Sequence, residues 1–177
     1  MKSLFLLLLL LTIDAGITKP SYDTALLYPI EMDEQSGMSR LFSKGNVIES
    51  ESKGMKLSVE SVDELFVILN DTSTYGALHS YSHAPTIGIV FYKKQKIVDW
   101  IQIALATNTV ETKHKIRAKE KYSHPSLDPE YLLTGLSPQG RLRIRNWYKK
   151  MNVEDTGAEY SHWDSTRVDY TQLKRNY

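Results

Sequence analysis

His79 and His83 stand four residues apart in the run His79-Ser80-Tyr81-Ser82-His83. Imidazoles at that spacing share one face of a helix, which is how zinc sites often draw two of their ligands. The expectation raised is a metal site at His79 and His83, or an envelope hydrolase in which Ser80 or Ser82 is activated by one of the two imidazoles. The surrounding residues weigh against both. No Glu follows His79, Gly76 and Pro85 favour a loop, and no G-x-S-x-G frames either serine. A third ligand would have to come from far along the chain, such as His124 or His162. Two loop histidines that are exposed or hydrogen-bonded are the simpler reading. The sequence names no cofactor, and whether the chain is an enzyme stays open at this point.

A second group of residues points to binding. Between Thr109 and Lys150, ten basic residues stand against four acidic ones. Arg141, Arg143, Arg145, Lys149 and Lys150 crowd the end of this stretch and form the candidate partner-binding face. The partner expected for it is an acidic protein or an anionic envelope polymer. The competing reading is a solvated face balanced by acids elsewhere in the chain. Nucleic acid is disfavoured, because the whole chain carries a net charge of only +1 and lacks an aromatic-rich RNA-binding motif. Ser137-Pro138-Gln139-Gly140 before Arg141 offers a helix N-terminus that ordinary capping explains.

The elements that must position these side chains are organised around Thr86–Thr107. Ile87, Ile89 and Phe91 alternate with Thr86, Gly88, Val90 and Tyr92, a period of two that reads as a strand with one apolar row on one face. After Lys93-Lys94-Gln95-Lys96, a second strand places Ile101, Ile103 and Leu105 on one face and Val98, Trp100, Gln102 and Ala104 on the other. The turn lacks Asn-Gly or Asp-Gly, so the register is left open. Ser61-x-x-Glu64 is a capping-box pattern, and Val62, Leu65, Phe66 and Leu69 then form one helical stripe. Ser137-Pro138 opens a second helix with Ile144, Trp147, Tyr148 and Met151 on one side. Asn108–Tyr122 is expected to be an exposed loop or short helix. Asn46-Val47-Ile48 and Met55-Lys56-Leu57 read as strand fragments. The fold class expected is α+β: a small antiparallel sheet centred on a hairpin at about 86–107, packed against amphipathic helices at about 61–70 and 138–151.

Length and composition set the frame. The 177 residues are enough for one domain with a hydrophobic core, and there is no cysteine, which excludes disulfides and thiolate chemistry. Lys2 followed by the apolar run Leu4–Leu11, with Ala15-Gly16 beyond, reads as a secretory signal over residues 1–16. The run is shorter than the roughly 20 residues a bilayer span needs, so no transmembrane span is expected after signal cleavage. The organisation expected is a signal at 1–16, an extended arm at 17–45 adding one edge strand, a single α+β domain at 46–151, and a loosely held polar tail at 152–177. The location expected is periplasmic or extracellular.

The stretch from Tyr75-Gly76 through Pro85-Thr86-Ile87-Gly88-Ile89-Val90-Phe91-Tyr92 to Asn108, with Gly135-Leu136-Ser137-Pro138-Gln139-Gly140-Arg141 later, resembles a functionally uncharacterised family of small exported bacterial proteins of the Bacteroidetes type. The resemblance covers roughly Ser58–Met151. It implies an exported location. It carries over no catalytic residue, and the positions where the family has cysteines hold Ser82, Ala104 and Thr107 here. The function expected is that of an exported, non-enzymatic protein that binds another macromolecule through a basic face.

Overall fold

The hairpin at the centre of the chain forms as its alternation requires. In the computed structural model, which describes residues 17–30, 41–43, 46–47, 54–77, 85–120 and 134–152, Ile87–Lys93 (β6) and Lys96–Ala104 (β7) pair antiparallel from Ile87↔Ile103 to Lys93↔Lys96. The connection is a two-residue turn with Lys94 at φ 48° and Gln95 at φ 63°. These left-handed values match the twist of the flanking strands at some cost to residues that carry a Cβ. The ladder is bulged: Phe91 faces Asp99 while Tyr92 faces Ile97. Val98 is therefore the extra residue, and it packs against the main core rather than joining the outer row with Trp100.

The arm is the larger correction. Thr24–Pro29 (β1) is an interior strand, not an edge. It pairs with β6 over six residues on one side and with the two-residue strand Met55–Lys56 (β4) on the other. On the far side of β7 lies Thr109–Thr112 (β8), so part of the basic region is strand rather than loop. The sheet is antiparallel throughout, in the order β4-β1-β6-β7-β8. Two small pairs accompany it: Phe42–Ser43 (β2) with Asn46–Val47 (β3), and Tyr75–Ala77 (β5) with Gly135–Leu136 (β9).

The two amphipathic helices form, and the fold is α+β. Val59–Asn70 (α1) starts three residues before the capping box suggested, because extended Ser58 is the cap and accepts from the Ser61 N–H at 3.1 Å. Glu64 instead pairs with Lys150. Pro138–Lys149 (α3) is capped by Ser137 as expected, its hydroxyl accepting from the Gly140 N–H. Val62, Leu65, Phe66 and Leu69 from α1 and Ile144, Trp147 and Tyr148 from α3 meet Leu27, Ile87, Ile89, Phe91, Ile101 and Ile103 from the sheet in one buried cluster. Each such side chain withdrawn from water contributes about 2 kcal/mol. The Trp147 indole N–H donates to Ser61 O at 2.7 Å, which ties the helices together. A Cβ on Gly140 would lie 2.2 Å from Thr74 O. Only glycine lets α3 approach the single 3-10 turn Thr72–Thr74 this closely.

The opposite face of the sheet carries a smaller cluster of Tyr28, Ile30, Leu41 and Val90, with Leu41 seated over Gly88. Ile17 is the first of the described residues. Its side chain is buried, its N–H donates to Asn70 Oδ1 at 2.6 Å, and its carbonyl accepts from Asn70 Nδ2 at 3.2 Å. This clamp holds Thr18–Ser21 against the end of the sheet.

Candidate functional site

His79 and His83 lie outside the described residues. Among the described residues, no group of three or more histidines and acids is placed to hold a metal ion.

Of the five residues expected to form a basic face, Arg141 is not at the surface. Arg141 is completely buried, and its guanidinium donates to the carbonyl of Leu105 and to Asn108 Oδ1, fixing the turn between β7 and β8. A side chain removed from solvent and engaged with backbone cannot meet a partner, so Arg141 is withdrawn from the candidate surface. The helical stripe that contains Ile144 and Trp147 also carries Arg141 inward, because residues three apart share a face. Arg143 donates to Asp71 Oδ2 at 2.7 Å, and Lys150 is paired with Glu64. The Asp71 carboxyl is held down at about 2 by the Ser73 hydroxyl and N–H, with Arg143 adding to both. Arg145 is half-buried, and Lys149 is exposed. The cations of α3 thus serve mostly to join it to α1 and to the sheet.

The basic side chains that do converge lie one element earlier. β8 ends at Thr112, and the chain turns through Lys113, His114 and Lys115 into the short helix Arg117–Glu120 (α2). The Thr112 hydroxyl donates to the carbonyl of His114 and tightens that turn. Two clefts meet at His114 and Lys115. The first runs between this turn and the clamped segment Thr18–Ser21, with Asp99 and Arg117 also on its walls. The second follows the outer edge of β8 and is lined by Trp100, Glu111, Lys113, Lys119 and Glu120.

The charges alternate in sign at close quarters. The bulge in β7 leaves Asp99 buried at the rim of the core, where Oδ1 accepts from the Trp100 N–H at 2.8 Å and Oδ2 stands 3.6 Å from His114 Nε2. That second separation is longer than a hydrogen bond, and it is an ion pair only when the imidazole is protonated. Among the described residues no hydroxyl is hydrogen-bonded to the His114 ring, so the pair does not constitute an activated nucleophile. Lys115 Nζ lies 3.4 Å from Glu120 and is 87% exposed, a pairing of little energetic weight. Arg117 is exposed and makes no ion pair among the described residues.

Lys119 has a different role. Its ammonium is largely buried and donates to Val110 O at 2.8 Å, on the outer edge of β8. Desolvation holds its pKa below that of an ordinary lysine, with the Glu111 carboxylate opposing the shift. At Asn108 the same edge is closed by the N–H of Leu136 from β9. These two contacts cover carbonyls through which the edge could otherwise recruit another strand. Trp100 sits across from Val90 in the ladder, on the face of the smaller cluster, and is half-buried.

The sequence contained His114 and the alternating Lys113, Lys115, Arg117 and Lys119, but their convergence depends on a strand with a single core-facing residue, Val110. Comparisons with protein-family models, with curated proteins and with solved structures found no match.

Proposed function

We propose that this is an exported, non-enzymatic protein that binds an anionic macromolecule, and that the binding face is the turn Lys113–Arg117 with the clefts on either side of it. The observation that carries the reading is that Lys113, His114, Lys115 and Arg117 are all exposed on one turn at a double cleft, whereas Arg141 of α3 is buried; Lys113 donates to Val98 O, and His114 and Lys115 stand beside Asp99 and Glu120. Exposed cations gathered on one turn attract a ligand of the opposite sign, with Asp99, Glu111 and Glu120 standing on the walls beside them. The export part of the reading rests on the apolar leader at residues 1–16.

The test is binding of the mature chain to an immobilised polyanion, with Lys115→Glu/Arg117→Glu compared with Lys149→Glu. The double reversal is expected to weaken binding by tenfold or more, about 1.4 kcal/mol or greater. The Lys149→Glu change, on the exposed side of α3, is expected to leave it within about twofold. Affinity should also fall as salt rises, since exposed charges are screened within roughly 10 Å at 0.1 M. Equal losses from both variants, or no retention of any polyanion, would contradict the reading.

A further inference from the structure

Resting on the export part of that reading, we infer that the leader is cut at the Gly16–Ile17 bond and that the α-ammonium so formed on Ile17 is a structural cation, docked on Asn70 at the C-terminal end of α1. The small residues of the leader leave two cuts open, after Ala15 or after Gly16. The Ile17 side chain is 7% exposed and belongs to the main core. Its N–H donates to Asn70 Oδ1 at 2.6 Å and its carbonyl accepts from Asn70 Nδ2 at 3.2 Å, so one amide side chain holds both backbone groups. Alternate residues beyond it are tied down as well. Lys19 donates to Asp63 at 2.6 Å, Ser21 accepts from Lys93 at 2.8 Å, and Asp23 accepts from the Lys94 N–H at 2.8 Å. A cut beyond Ile17 would discard a core side chain and the clamp. A cut after Ala15 would carry the ammonium one residue past the clamp.

A cut after Gly16 places the charge on Asn70 itself, and that position suits a cation. Asn70 is the last residue of α1, whose last turn carries no basic side chain. The final carbonyls of a helix form the negative end of its dipole and favour positive charge beside them. The bond to Asn70 Oδ1 also becomes charge-assisted, which strengthens it. Ile17 lines the first cleft together with Lys19, Asp99, His114, Lys115 and Arg117. Of these, Lys19 and Lys115 stand beside Asp63 and Glu120, and Asp99 is itself an anion. Asp71, next to Asn70, is paired with Arg143. Exposed Arg117 is the cation that opposes the ammonium, along with His114 when protonated. The cut is a hydrolysis: water oxygen bonds to the Gly16 carbonyl carbon, the C–N bond breaks, and both water protons end on the Ile17 nitrogen, leaving a carboxylate on Gly16. Because Ile17 is buried in the fold, the step belongs to the unfolded chain during export, catalysed by a peptidase of the host envelope.

The test is expression of the full chain in a Gram-negative bacterial host, with N-terminal sequencing of the product recovered from the envelope. The product is expected to begin at Ile17. A product that begins elsewhere overturns the assigned cut while export stands, and a chain that keeps its leader overturns both. Urea denaturation then compares the chain beginning at Ile17 with one extended by Ala15 and Gly16, released from a fusion partner. The extension keeps the Ile17 N–H and moves only the charge. At pH 7 it is expected to lower the folding equilibrium constant about threefold. An α-amine held charged by the fold contributes stability that is present below its unfolded pKa, about 8, and is lost as the pH rises through the folded value. The gap between the two chains is therefore expected to close by pH 10. Equal stability at pH 7, or a gap of the same size at both pH values, would overturn the docked ammonium.

Discussion

Asp71 shows how a single side chain serves several elements at once. It follows the last residue of α1, and its backbone N–H bonds back to Ile68 O. Its carboxylate accepts from the Ser73 N–H and hydroxyl, both at 2.8 Å, and from Arg143 on α3. The serine contacts, followed by Arg143, bring its pKa from 3.8 to about 2. A carboxyl whose folded pKa lies below its unfolded value contributes stability that is fully present above the unfolded value and is lost as the pH falls through the folded one. Stability is therefore expected to decline between about pH 4 and pH 2 through this group. Asp71→Asn should lower stability at neutral pH and flatten that part of the profile, as read by urea denaturation at stepped pH. An identical slope in the variant and the parent chain would remove Asp71 from the account. None of this is visible in the sequence, where Asn70-Asp71 marks only the end of a helix. The partner that matters, Arg143, is 72 residues away.

At the level of elements, the period-two rows of β6 and β7 and the helical stripes of α1 and α3 were legible, because each is fixed by local alternation against one large core. What could not be read were features set by neighbours distant in sequence. Thr24–Pro29 holds the only apolar run in a polar arm, so it looks like an edge. It is interior because β4, only two residues long, covers its other side. β8 was obscured by its lack of apolar partners, and it persists with Val110 facing the core and Lys119 closing its edge. The cap of α1 was misplaced because Ser58 and Ser61 offer similar chemistry and only the backbone entering from β4 selects between them. The hairpin turn is where sequence and geometry conflict most. Lys94 and Gln95 both adopt positive φ without being Asn or Gly. Replacing them with Asn-Gly is expected to stabilise the protein by about 1 kcal/mol, measured as a shift in the urea midpoint. No gain, or a loss, would mean that the turn does not hold this conformation in solution.

Over the whole molecule, charge is divided between two tasks. The arginines of α3 and its lysine at position 150 are engaged in joining layers: Arg141 to the β7–β8 turn, Arg143 to Asp71, Lys150 to Glu64. The cations around His114 are presented at the end of the sheet, on a turn held by the β8 ladder on one side and faced by the Ile17–Asn70 clamp on the other. Composition alone merges the two groups into one basic stretch, which is why the sequence reading counts the buried Arg141 among surface cations. The most direct test of this division is an amide NMR titration of the isotopically labelled chain from Ile17 onward with polyglutamate. Chemical-shift changes are expected to cluster at Lys113–Arg117 and to extend to Thr18–Ser21, with α3 unmoved. Changes centred on Arg143–Lys150, or none at saturating ligand, would contradict the account.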